Sequence, residues 1–142
     1  MRKLIFTAVI LVSVFSCSSL GTVSRGYSFS RQQIWTAIND VVATKHGGIK
    51  KITQDPPTAI SKLNVKDKKF GIDKSMYQVY ASLSGFERPY FVDVEVRVYP
   101  NGDETESYGS DRPKAQEVQD DIKEYLNNKR YNSTLQDDYK PY

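Results

Sequence analysis

The chain has a single cysteine, a single histidine and a single tryptophan among its 142 residues, and each scarcity excludes something. One cysteine cannot close an internal disulfide or supply a multi-thiolate zinc site. One histidine, His46, leaves one imidazole for acid-base work, and no Gly-x-Ser-x-Gly elbow accompanies it. An excess of one charge is also missing. Lys and Arg number 20 against 17 Asp and Glu, and setting aside Arg2 and Lys3 leaves 18 against 17, too even for a nucleic-acid binder. The apolar run from Leu4 to Phe15 contains Thr7 and Ser13 and stops well short of the roughly 20 residues that a spanning helix needs.

That run is where the positive evidence begins. Met1-Arg2-Lys3 followed by Leu4 to Phe15 has the layout of a secretory leader, a basic start and then a short apolar stretch, so residues 1–16 are expected to be a signal peptide. Val14-Phe15-Ser16-Cys17 follows the order aliphatic, variable, small, cysteine. It resembles the lipobox of bacterial membrane lipoproteins, with Val where Leu is commoner and a bulky Phe at the second place. The resemblance covers the first 17 or so residues. It implies cleavage before Cys17, diacylglycerol on its thiol, and palmitate-type chains that hold the protein to a membrane. Ser18, in place of Asp, implies the outer membrane, facing the periplasm. The competing reading of the same residues is an ordinary signal-peptidase site that leaves Cys17 as a free thiol.

Residues 17–28 are small and polar and read as the lipidated N-terminus and a flexible tether. A single domain is expected over 29–127. Ser30 and Gln33 fit a capping box, and Ile34, Ile38, Val41 and Val42 follow at helical spacing until Gly47-Gly48. Strands are expected at Ile49 to Gln54, Ala59 to Val65 and Met76 to Leu83, with Asp55-Pro56-Pro57 turning the first pair. The clearest strand alternates Tyr90, Val92, Val94, Val96 and Val98 with Phe91, Asp93, Glu95, Arg97 and Tyr99, so it has one dry and one wet face. Asn101-Gly102 predicts a tight hairpin with Arg97 opposite Glu106, although Pro100 removes a ladder donor. Asp111 and Pro113 open a last helix, whose stripe is Ala115, Val118, Ile122, Tyr125 and Leu126. Residues 128–142 read as a polar tail. The order predicts an α+β two-layer sandwich, an antiparallel meander of four to five strands packed by an N-terminal and a C-terminal helix. That order resembles the helix-grip modules of outer-membrane lipoproteins such as the BamC type of the barrel-assembly machinery.

Few residues point to chemistry. His46 lies at the end of the first helix, where a cation complements the helix dipole. Asp93, Glu95, Asp103, Glu104 and Glu106 read as the solvated face of a hairpin, and Lys62, Lys66, Lys68, Lys69 and Lys74 as a solvated basic loop. No catalytic residue, cofactor or metal is expected. Phe91, Arg97, Tyr99 and Tyr108 form the candidate partner-binding face, since exposed aromatics and arginine are enriched at interfaces. A partner or the chain's own tail are both open as occupants of that face. The reading is therefore a non-enzymatic, lipid-anchored envelope protein, attached to the membrane through Cys17, that binds an envelope protein. The alternative is a small-ligand or lipid-binding module that uses the space between helix and sheet.

Overall fold

The computed structural model describes residues 21–69 and 72–129, so the leader, Cys17 and most of the tail lie outside the described residues. The fold is the expected α+β sandwich: one antiparallel sheet with two helices on one of its faces. Its elements are β1 (Thr22–Tyr27), α1 (Arg31–Lys45), β2 (Ile49–Gln54), β3 (Pro57–Ser61), β4 (Asn64–Lys69), β5 (Ile72–Ser84), β6 (Tyr90–Tyr99), β7 (Gly109–Ser110) and α2 (Arg112–Asn128). The path across the sheet is β1-β6-β5-β3-β2. β4 pairs with β5 beside β3, and β7 pairs with β6 beside β1.

Period-two burial explains the central strands. Tyr77, Val79, Ala81 and Leu83 of β5 lie beside Val98, Val96, Val94 and Val92 of β6, all facing the helices. α1 starts at the capping box, where Ser30 Oγ accepts from Gln33 N and Gln33 Oε1 accepts from Ser30 N. It buries Ile34, Ala37, Ile38, Val41 and Val42 on the sheet, and Gly47 and Gly48 take positive φ just beyond its end. α2 is capped by Asp111 accepting from Lys114 N and buries Ala115, Val118, Ile122 and Leu126.

One polar residue joins that apolar stripe. Gln119 has no exposed surface; its Nε2 donates to Val23 O at 2.9 Å and Val92 O at 2.6 Å, and its Oε1 accepts from the Tyr27 hydroxyl at 2.9 Å. Burial pushes the Tyr27 phenol up to about 12, so it stays a donor at any ordinary pH. α2 is thereby locked across β1 and β6 by bonds that admit a single register.

Four expectations change. Thr22–Tyr27, placed in the tether, is a strand, because Val23 and Tyr27 alternate into the core while Gly26 lies beneath the Phe91 ring. It meets β7 end to end: a β-carbon on Gly21 would fall 2.2 Å from Ser110 Cβ. The strand expected from Ala59 to Val65 is two strands, β3 and β4, and much of the expected lysine loop is β4 and the start of β5. Among the described residues the count accordingly rises from four or five to seven. The tight Asn101-Gly102 hairpin does not form: Gly102 N closes a turn on Tyr99 O, but Asp103 then captures both the amide and the hydroxyl of Thr105. With no donor at Pro100, the chain loops until Ser110 stands opposite Arg97, where Glu106 was expected.

The Gln119 lock is testable by urea unfolding. Gln119→Leu should cost about 2 kcal/mol, because the Tyr27 hydroxyl and two strand carbonyls lose a buried partner. Exposed Lys123→Gln, one turn on, should stay within about 0.5 kcal/mol of the native chain.

Candidate functional site

The two helices cover one face of the sheet, and the opposite face carries the residues singled out in the sequence. The strand registers put Met76, Gln78, Tyr80, Ser82 and Ser84 of β5 on this second face, beside Tyr99, Arg97, Glu95, Asp93 and Phe91 of β6. At its centre the Arg97 guanidinium lies between two aromatic rings, 4.0 Å from the Tyr80 centroid and 4.4 Å from that of Tyr108. Stacking of this kind favours arginine over lysine, because the planar, weakly hydrated guanidinium loses little on being covered. Its edge donates to Glu95, from Nε at 3.3 Å and Nη2 at 3.4 Å. Partial burial works against the charged form, but Glu95 outweighs it and raises the Arg97 pKa further.

A second layer supports the stack. Gln78 is 1% exposed, although it points away from the helices. Its Nε2 donates to Ser61 O at 2.9 Å, and its Oε1 accepts from the hydroxyls of Tyr80 at 2.9 Å and Tyr99 at 3.4 Å. Tyr99, expected on the wet face as an exposed anchor, is 3% exposed because Gln78 takes its hydroxyl and Tyr108 packs 6.0 Å from its ring. Burial, followed by the Tyr80 hydroxyl, pushes the Tyr99 phenol up to about 12.

The face therefore brings together Arg97, Tyr99 and Tyr108 of the sequence-predicted set, with Tyr99 as a buried support. Phe91 is 44% exposed on the same face but stands six positions along β6 from Arg97, about 20 Å at a strand's rise per residue. Tyr80, Gln78 and Glu95 complete the arrangement. The signal for Tyr80 and Gln78 was the alternation of β5, whose polar phase faces the same way as Arg97. Glu95 meets Tyr80 across the strands.

His46 is not the helix-end cation that its position suggested. It is 1% exposed, with Nδ1 at 3.3 Å from the Tyr77 hydroxyl and Nε2 without a hydrogen-bond partner; the nearest carboxylate oxygen, on Asp121, stands 3.7 Å away. Burial first, and the Lys114 charge second, lower its pKa, outweighing Asp121 and Glu117. The neutral ring is a core residue shielded from solvent.

The space under α1 is filled by Ile34, Ile38, Val41, Val79, Ala81 and their neighbours, each at most 2% exposed. A groove of about 360 Å³ lies instead between the helices alone, lined by Val41, Thr44, Lys45, Asp121, Tyr125 and Lys129 among others. It lies on the helix layer, away from the space between helix and sheet that such a ligand-binding module would use. Among the described residues no three His, Cys, Asp or Glu side chains gather as a metal site. No protein-family model matches the chain, and no curated protein matches it.

The buried imidazole makes stability depend on pH. The folded state holds the His46 pKa below the unfolded value of about 6.5, so the unfolded chain binds the extra proton. The stability is fully present above pH about 6.5 and falls as pH drops below that value towards the folded pKa. Urea midpoints should therefore fall between pH 7.5 and 5.5 for the native chain and fall less for His46→Gln; equal slopes would contradict the assignment.

Proposed function

We propose that this protein is a non-catalytic, lipid-anchored envelope lipoprotein that binds another envelope protein through the sheet face carrying Arg97. The observation that carries the reading is the preset guanidinium between Tyr80 and Tyr108 on the sheet face opposite the helices, where the loop that carries Tyr108 buries Tyr99 and leaves Arg97 partly exposed. A stacked arginine beside tyrosines has little side-chain freedom left to lose, which is the property of residues that dominate binding energy. Glu95 and Asp93 beside it, with half-exposed Phe91 further along, supply a polar surround and a second apolar contact. The anchor rests on the lipobox-like Val14-Phe15-Ser16-Cys17. The non-catalytic reading is supported by the inaccessibility of the one histidine.

Crosslinking in intact membranes followed by affinity recovery tests the binding half. The native chain should recover a defined envelope partner, and Phe91→Ala with Tyr108→Ala should weaken recovery about tenfold or more, equivalent to at least about 1.4 kcal/mol. Thr44→Ala, on the helix layer, should leave it intact. The same recovery from all three chains would refute the face. Labelled palmitate tests the anchor separately: the native chain should incorporate it and Cys17→Ala should not.

A further inference from the structure

We infer that residues 100–108 are a strap latched across the sheet by the Lys50–Glu104 ion pair, and that this latch holds Tyr108 on Arg97 and readies the face for its partner. The partner half rests on the reading proposed above; the latch is a property of the folded chain alone. The strap joins β6 to β7, yet its Glu104 bonds to Lys50 of β2. In the order β6-β5-β3-β2 that is three strand spacings from where the strap leaves β6, about 14 Å, so the loop crosses the sheet instead of standing off it. On the way it lies against β5, where a β-carbon on Gly102 would fall 3.3 Å from Met76 Cγ.

The three acids of the strap divide the work. Asp103 Oδ1 accepts from Thr105 N at 2.9 Å and from its hydroxyl at 2.7 Å, and Glu106 accepts from Asn101 Nδ2 at 3.1 Å. Those bonds, with Glu106 N donating to Asp103 O at 3.3 Å, make one piece of the loop. Glu104 is left to reach the sheet, and it meets a cationic corner, since the Lys62 stem also runs beside Gly48, two residues before Lys50. Because the strap is internally bonded, fixing Glu104 also fixes Tyr108, four residues on.

What the strap covers is more buried than the strap itself. Residues 103–108 are all exposed, whereas Tyr99, in contact with Tyr108, is 3% exposed and its hydrogen-bond partner Gln78 is 1% exposed. A cover that buries so little of its own surface is the kind of segment that opens most readily. The pair that ties it is itself in reach of solvent, with side chains 48% and 32% exposed, so dissolved salt screens it. When the strap lifts, Arg97 keeps Tyr80 and Glu95 but loses its second ring, and Tyr99 opens to water.

The test uses the purified full chain. Hydroxyl-radical modification of Tyr99 reads the cover, and the nuclear magnetic resonance shift of the Arg97 Nε–H reads the stack. Glu104→Gln and Lys50→Gln should each raise Tyr99 modification about threefold or more and move the Arg97 signal towards that of Tyr108→Ala, as should about 0.5 M salt on the native chain. Lys50→Glu with Glu104→Lys should restore both. No change in either single variant overturns the latch, and a loss that the exchanged charges do not restore overturns its ionic basis. Recovery of the envelope partner should fall about threefold or more in the single variants and return in the exchanged chain. A loosened strap with undiminished recovery overturns its part in recognition and leaves the sheet face standing. Undiminished recovery from Phe91→Ala with Tyr108→Ala overturns the face itself, whatever Tyr99 reports.

Discussion

Gln119 sits in the apolar stripe of α2 with no exposed surface, and its side chain bonds to both β1 and β6. Polar groups in such a place are costly when any partner is displaced, so sliding α2 by one residue would strand an amide, two carbonyls and a phenol. The rest follows from that lock. α2 covers β1 and β6, α1 fills the remaining width over β5 and β3, and both helices are committed to one face of the sheet. The other face is left to be stabilised by its own side chains, and it is there that Gln78, Tyr80, Tyr99, Arg97 and Tyr108 assemble. The two faces are thus built differently: one a dry aliphatic layer, the other a polar and aromatic network organised around a second buried glutamine.

What could be read beforehand depended on the range of the interaction. The capping box at Ser30, the stripe of α1, the alternation of β6 and the Asp111 cap are local patterns, and they appear where the residues placed them. β1 was missed because its six residues include Ser24 and Gly26 and resemble a linker; only pairing with β6, more than sixty residues away, makes them a strand. Gln119 falls at helical spacing within the stripe, but a glutamine there reads as a margin residue until strands with free carbonyl capacity are set beneath it. The hairpin register failed at Asp103, whose side chain offered Thr105 a closer partner than the opposing strand did.

The candidate face was half legible for the same reason. Arg97 and Tyr108 were chosen for their chemistry and do meet, but through a loop of a different length from the one expected. Tyr99 was placed on the correct side of the sheet and with the wrong exposure, since alternation assigns a side and says nothing of what a long loop and a neighbouring glutamine will cover. His46 shows the opposite failure: its place in sequence at a helix end suggested a solvated cation, whereas β5 and α2 close over it and leave a neutral ring. In each case the composition of the site was visible early, and its desolvation, which decides what the residues can do, required the tertiary structure.

We propose the sheet face opposite the helices as the surface through which this protein meets its partner. Hydroxyl-radical footprinting of the purified chain and of the same chain in native membranes measures that directly, residue by residue. Modification of Phe91, Tyr80 and Tyr108 should fall in membranes while Trp35 and Tyr125 on the helix layer keep their purified-state reactivity. Unchanged modification of the three sheet-face aromatics, or protection confined to the helix layer, would contradict it.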